Sequence, residues 1–208
     1  MVECPSCGRR QEPQLLCCEC GAPMAVALDC FAALGLPRKL SVDAPALERA
    51  YHDLSRKVHP DRFASKPAPV RNASLSATAL LTRSYRTIRD PIARGLYWLE
   101  LNGEKLAEDN KRVPPELAAM VFEVQEQLEE LRESAALIPQ VTQRRGEIQA
   151  QIDASIAALE ANFLKWDEGK PEGRPMLTLE LKGILSRIAY LRTLLRDVDR
   201  ALEGVKAA

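Results

Sequence analysis

The chain has 208 residues, 46% apolar and 28% charged, with 29 basic and 29 acidic side chains, the composition of a globular protein with room for one large domain or two to three small ones. No run of about 18 uncharged apolar residues occurs, which argues against a transmembrane helix, and MVECPSCG lacks the basic start and apolar stretch of a secretory signal. A cytoplasmic, reducing setting is therefore expected, in which the six cysteines point to metal binding rather than a disulfide framework.

The first element is ECPSCGRRQEPQLLCCECGAP. Cys4-x2-Cys7 and Cys17-x2-Cys20 are each followed by glycine, a turn that aims backbone N–H groups at thiolates and brings four sulfurs to tetrahedral spacing. Cys4, Cys7, Cys17 and Cys20 suit one closed structural zinc ion, with no open coordination position for catalysis. The nine residues between the motifs allow a small ribbon-like hairpin. Cys18 reads as a spare thiol and Cys30 as a core cysteine. A redox dithiol or iron–sulfur ligation are the competing readings. A thioredoxin-type motif needs a long helix after it, which GRRQEP does not supply.

From about residue 27 the pattern turns helical. Leu28, Phe31 and Leu34 mark one face of a short helix that stops at Gly35. Asp43 is a candidate N-cap for a helix striped by Leu47, Tyr51, Leu54 and Val58. Proline disfavours the α region for its predecessor, so His59-Pro60 ends that helix, and the prolines at 60, 67 and 69 predict a loop over 59–70. A third helix follows, striped by Ala77, Leu81, Tyr85 and Ile88 and closing near Asp90-Pro91. Ile92, Leu96 and Leu99 suggest a fourth before Asn102-Gly103. The residues alone allow His59-Pro60-Asp61 to be a plain helix stop. A catalytic triad fails for want of a nucleophile, since no GxSxG is present and His52 sits on the same helix.

The last hundred residues carry the clearest period. Leu117, Val121, Val124, Leu128, Leu131, Ala135 and Ile138 form one stripe up to Pro139. Ile148, Ile152, Ile156, Leu159, Phe163 and Trp166 form the next. Leu177, Leu181, Ile184, Ile188, Leu191, Leu195, Val198 and Leu202 form the last. Three such helices with short breaks predict an antiparallel three-helix bundle. The expected fold is thus mainly α: a small zinc ribbon or knuckle over 1–25, a helical domain over 26–100, a linker over 101–113 and the bundle over 114–208. Charge follows this division: residues 26–100 hold twelve basic and seven acidic side chains, residues 101–208 fifteen and nineteen. A basic middle and an acidic tail suit two different partners better than one nucleic acid.

LDCFAALGLP, HPDRF, the proline-rich loop and RSYRTIRDPIARGLYWL together resemble the J-domain over about residues 27–100. J-domains dock on DnaK-class heat-shock ATPases and trigger hydrolysis through the HPD loop, so the resemblance implies that His59, Pro60 and Asp61 act as the trigger. Arg49, Arg56, Lys57 and Arg62 could then meet an acidic chaperone surface, chiefly by steering. Glu48, His52 and Asp53 stand where the usual J-domain helix is basic, which points to a specialised branch. CFAALGLP, HPDRFAS, SLSAT and DPIARGLYWLELNG, leading into an acidic helical domain, are similar to the HscB family of iron–sulfur cluster co-chaperones. That resemblance implies an HscA-type chaperone partner and an IscU-type scaffold held by the C-terminal domain. The scaffold contacts would fall on Leu117, Ala118, Ala119, Phe122, Glu123, Glu126 and Glu130. At about 100° per residue Phe122 points roughly 140° from the buried seam, an apolar group on an acidic outward face. The cysteine segment resembles that of eukaryotic relatives.

These readings make the chain a non-enzymatic adaptor, monomeric or weakly dimeric, with no nucleic-acid or membrane partner. Alternatives are a J-domain protein with another client, a nucleic-acid-binding ribbon and a thiol oxidoreductase. The ribbon has only Arg9 and Arg10 as nearby cations and no aromatic platform.

Overall fold

The computed structural model describes residues 1–106 and 117–207, with side chains through Val205. The chain forms two compact units, Met1–Arg94 and Gly95–Ala208. The linker expected over 101–113 lies outside the described residues from 107 on.

In the first unit, β1 (Val2–Glu3) pairs antiparallel with β2 (Arg10–Gln11). The hairpin therefore wraps the first Cys-x2-Cys turn, whereas the nine residues between the motifs had been its expected place. Helix α1 is confined to Cys30–Ala33, because Asp29 caps it by accepting from the N–H groups of Phe31 and Ala32, both at 2.9 Å. Leu28 thus precedes the helix instead of sitting on it. Burial opposes ionisation of Asp29, but those N–H groups and Arg38 outweigh it and hold the carboxyl below its usual range. Helix α2 (Ala44–Val58) starts at Asp43, whose side chain accepts from the Ala46 N–H.

A 3-10 turn over Pro60–Phe63 follows, then helix α3 (Ala68–Arg89). The loop predicted over 59–70 is thus shorter than expected. Pro69 lies in the first turn of α3, where no intrahelical N–H is needed, so proline starts this helix where it had been read as excluding one. α2 and α3 run antiparallel, with the Tyr51 and Tyr85 rings stacked at 4.1 Å and α1 packed against α3. Phe31, Leu34, Leu40, Leu47, Val58, Ala77, Leu81 and Ile88 are buried beneath them. Asp90 ends α3 and caps α4 (Pro91–Leu101), accepting from the N–H groups of Ile92 and Ala93.

From Gly95 onward α4 belongs to the second unit. A Cβ on Gly95 would meet Leu185 and Phe163 at 3.4 Å, so the missing side chain is what lets α4 lie close on the helices beneath. Trp98 meets Trp166 edge-on at 6.1 Å, and Lys182 binds Glu104 at 2.6 Å. The bundle is α5 (Ala118–Glu133), α6 (Ile138–Glu168) and α7 (Arg174–Ala207). α6 and α7 form a long antiparallel hairpin, its flanks tied by Arg145–Asp199 at 2.6 Å and Lys165–Glu180 at 3.6 Å. α5 covers one half of it through Leu117, Val121, Val124 and Leu131, against Val141, Ile148 and Ile152 on α6 and Leu191, Leu194, Val198 and Leu202 on α7.

The stripe read as continuous to Pro139 breaks at Ser134, which is extended and ends α5. Ala135–Leu137 is a 3-10 turn, and Pro139 falls in the first turn of α6. Periodicity carried across the break because Ile138 still packs against the same core, and burial does not depend on helix continuity.

Candidate functional site

Two constellations lie in the first unit and one surface in the second. The N-terminal pair of turns is built twice over. Cys4 N–H donates to the Arg9 carbonyl and Gly8 N–H to the Cys4 carbonyl. Thirteen residues on, Cys17 N–H donates to the Ala22 carbonyl and Gly21 N–H to the Cys17 carbonyl. Gly8 and Gly21 have φ of 73° and 68°, a left-handed conformation that a side chain would strain. Gln11, 6% exposed, clasps the two turns: its carbonyl accepts from the Cys18 N–H at 2.9 Å and its amide donates to the Leu16 carbonyl at 3.3 Å. Nothing in the sequence singled Gln11 out, because its role depends on which backbone groups the fold brings to it.

The sulfurs of Cys4, Cys7, Cys17 and Cys20 lie within 4.8 Å of one another, with Cys4–Cys20 at 3.6 Å and Cys7–Cys17 at 3.7 Å. A tetrahedral ion with metal–sulfur bonds of about 2.3 Å has sulfur–sulfur edges of about 3.8 Å, so the four ligands fit a metal such as zinc. Backbone N–H groups of Cys20, then Glu19, pull the Cys17 thiol down to about 7. The Arg9 N–H favours the Cys7 thiolate, yet loss of solvent and the three neighbouring thiols push it up to about 12. Four thiolates at this spacing repel one another, and a divalent cation relieves that repulsion. Cys18 is exposed and Cys30 buried.

The HPD turn stands at the end of α2. His59 ends the helix with φ −56° and ψ 131°, and Pro60 opens the 3-10 turn. The Asp61 N–H donates to His59 Nδ1 at 3.3 Å. In the neutral ring this leaves the proton on Nε2. The Asp61 carboxylate is 3.5 Å from Nδ1. Both side chains face solvent, at 55% and 89% exposure, so neither serves the core.

What holds the turn in place lies behind it. The last α2 carbonyl, Val58, accepts from Ser74 Oγ at 2.6 Å and Thr78 Oγ1 at 3.3 Å on α3. Sequence reasoning named SLSAT only as a family cue; the available signal was a serine on the buried stripe of α3, where an apolar residue belongs. Substituting both, Ser74→Ala with Thr78→Val, strands a buried carbonyl at a cost of about 1–3 kcal/mol. Thermal unfolding should show that loss, with the single variants milder.

Of the four basic residues expected to face a partner, Arg56 is ion-paired with Asp53. Arg62 donates to the Arg56 carbonyl at 3.2 Å. Arg49 and Lys57 are exposed and without an ion pair among the described residues. His52 faces Glu48 at 3.8 Å. The outer face of α2 thus carries unpaired positive charge at Arg49, in its second turn, and at Lys57, in its last, with the paired Asp53 and Arg56 between.

On α5, Phe122 is 68% exposed, and Ala118, Ala119, Glu126 and Glu130 are exposed around it. Glu123 is tied to Arg144 at 3.0 Å. Leu117 is 1% exposed, a core residue that supports this face without displaying its side chain on it.

No family model matches the chain. A curated relative, the co-chaperone protein HscB homolog of Azoarcus sp. strain BH72, is 30% identical over 188 residues, covering 88% of this chain and 99% of the relative. The iron-sulfur cluster co-chaperone protein HscB homolog of Arabidopsis thaliana is 28% identical over 167 residues, covering 79% of this chain and 65% of that one. The crystal structure of human co-chaperone protein HscB superposes with a TM-score of 0.72 at 24% identity, over 95% of this chain and 97% of that one, a likeness of fold.

Proposed function

The chain belongs to the HscB co-chaperone family, and from that premise we propose that it is an adaptor of iron–sulfur cluster assembly with two separate working surfaces. The HPD turn, His59, Pro60 and Asp61, stimulates the ATPase of a DnaK/HscA-class chaperone. The outward face of α5, Phe122 with Ala118, Ala119, Glu123, Glu126 and Glu130, holds an IscU-type scaffold. Delivery and hydrolysis are coupled because one molecule presents both, and the chaperone's ADP form then retains the client. The adaptor needs no active site of its own. The domains are the cysteine segment over 1–25, a J-domain over 26–100 and a scaffold-binding domain over 114–208.

The observation that carries this reading is the HPD turn itself. Two reactive-looking side chains are exposed and unused by the core, on a turn whose preceding backbone carbonyl, that of Val58, is held by Ser74 and Thr78. Rigid backbone with displayed side chains is what a partner-triggering element requires. Arg49, Lys57 and Arg62, with Arg56 already engaged by Asp53, steer the encounter. Charge-reversing Arg49 and Lys57 to glutamate is expected to slow chaperone association and flatten its salt dependence, while turnover at saturation holds. Unchanged association by stopped-flow mixing would place the docking face elsewhere.

The four thiolates hold one structural zinc ion, consistent with a cytoplasmic, reducing setting. A Cys17→Ser variant should lose its zinc equivalent by metal analysis and the cooperative unfolding of residues 1–25, yet keep ATPase stimulation. Retention of bound zinc in that variant would contradict the ligand set.

A further inference from the structure

The outward face of α5 is open at Phe122 and held at one edge. Glu123, Glu126 and Glu130 fall within about 60° of one another around the helix, and Phe122 borders that arc about 40° from Glu126. Among the described residues Glu126 and Glu130 have no ion pair. Glu123 has one: its Oε2 accepts from Arg144 on α6 at 3.0 Å.

Arg144 is itself braced. Its other terminal nitrogen donates to Glu147 Oε2 at 2.9 Å, and Glu147 Oε1 accepts from the Gln143 amide at 3.1 Å. The Arg144 side chain is 25% exposed, against 54% for Glu123 and 45% for Glu147. One turn of α6 thus fixes a guanidinium and aims it at a single carboxylate on the neighbouring helix. A planar fork with separate donors can hold two carboxylates at once, which an ammonium on a flexible stem does less well. Ion pairs between exposed carboxylates and such a group contribute little to folding, so bundle stability does not account for the brace. Its effect is on Glu123, whose carboxylate is ordered before any partner arrives. Among the described residues its Oε1 accepts no bond and remains available.

We propose, on the reading that this face holds the scaffold, that Arg144 is a positioning residue that sets Glu123 to accept a basic group of the partner. An acidic arc beside an apolar ring calls for a partner patch with basic groups around an apolar recess. Two effects of Arg144 then oppose each other. Its positive charge repels that patch, whereas its bond spares the complex the entropy of ordering Glu123. Ordering prevails because the guanidinium charge is already shared between two carboxylates.

Calorimetric titration with an IscU-type scaffold separates the two effects. Arg144→Gln removes the charge and keeps most of the stem. It should bind roughly 2- to 10-fold more weakly, the ordering cost of one long side chain, although the face becomes more negative. Arg144→Lys should fall between Arg144→Gln and wild type. The swap of Glu123→Arg with Arg144→Glu keeps an ion pair between α5 and α6 but offers the partner the wrong sign, so it should bind no better than Arg144→Gln. Wild-type or tighter binding by Arg144→Gln would overturn the positioning role. Full recovery in the swap would overturn it too, since the pair would then serve only to join the helices. Phe122→Ala, measured alongside, reads the face itself. Weakening there with Arg144→Gln unchanged overturns the role of Arg144 alone, and no weakening in either variant overturns the scaffold face with it.

Discussion

His59→Gln is expected to abolish stimulation of the chaperone's ATPase while leaving scaffold affinity and the melting temperature near wild type. The stability part follows from position. His59 is 55% exposed on its side chain, which within the turn accepts a 3.3 Å hydrogen bond from the Asp61 N–H, while its backbone carbonyl accepts from the Arg62 N–H whatever the side chain. Such surface changes typically stay within about 0.5 kcal/mol. The backbone of the turn is set instead by Pro60, whose ring fixes its own φ and restricts His59, and by Ser74 and Thr78 behind Val58. Glutamine keeps a polar side chain of similar reach but loses the planar ring and its Nε2–H. A loss of stimulation at full stability would therefore assign His59 to recognition rather than architecture. Single-turnover hydrolysis by the partner chaperone, with chaperone in excess of nucleotide, is the measurement. Retained stimulation would remove the HPD turn from the account.

Phe122→Ala is expected to weaken scaffold binding by about 1–2 kcal/mol or more, roughly 5- to 30-fold, as truncation of an aromatic anchor does. The ring is 68% exposed and takes no part in the bundle core, whose α5 contribution is Leu117, Val121, Val124 and Leu131. Stability should thus be unmoved, which distinguishes this variant from Leu117→Ala. Leu117 is 1% exposed, and its truncation should cost about 2–5 kcal/mol of folding free energy. Calorimetric titration with an IscU-type scaffold reads the first effect and thermal denaturation the second. Unchanged affinity in Phe122→Ala would move the scaffold surface off this face.

Much of the helical framework was legible because burial writes a period into the chain. The stripes through Leu47–Val58 and through Leu177–Leu202 lead directly to α2 and α7, and Asp43 marks the start of α2 through a capping bond that is local in sequence. Proline was the residue that misled. Pro69 and Pro139 were read as interrupting or ending helices and instead lie in the first turns of α3 and α6; the same missing N–H is harmful in a helix interior and free at its start. The cysteine spacing anticipated a four-sulfur cluster because two short turns place their own ligands. What remained hidden depends on contacts distant in sequence. Ser74 acts through Val58, sixteen residues earlier. Gly95 matters only because Phe163 and Leu185 lie against it. No local pattern encodes either meeting.

The central claim is that one molecule couples scaffold delivery to hydrolysis. Its most direct test is the ATPase rate of a matched DnaK/HscA-class chaperone with this protein, measured with and without an IscU-type scaffold. The account predicts stimulation by the protein alone and a further, more-than-additive rise when scaffold is present, lost in both Phe122→Ala and His59→Gln. A rate that the protein does not raise, or that scaffold leaves unchanged, would contradict it.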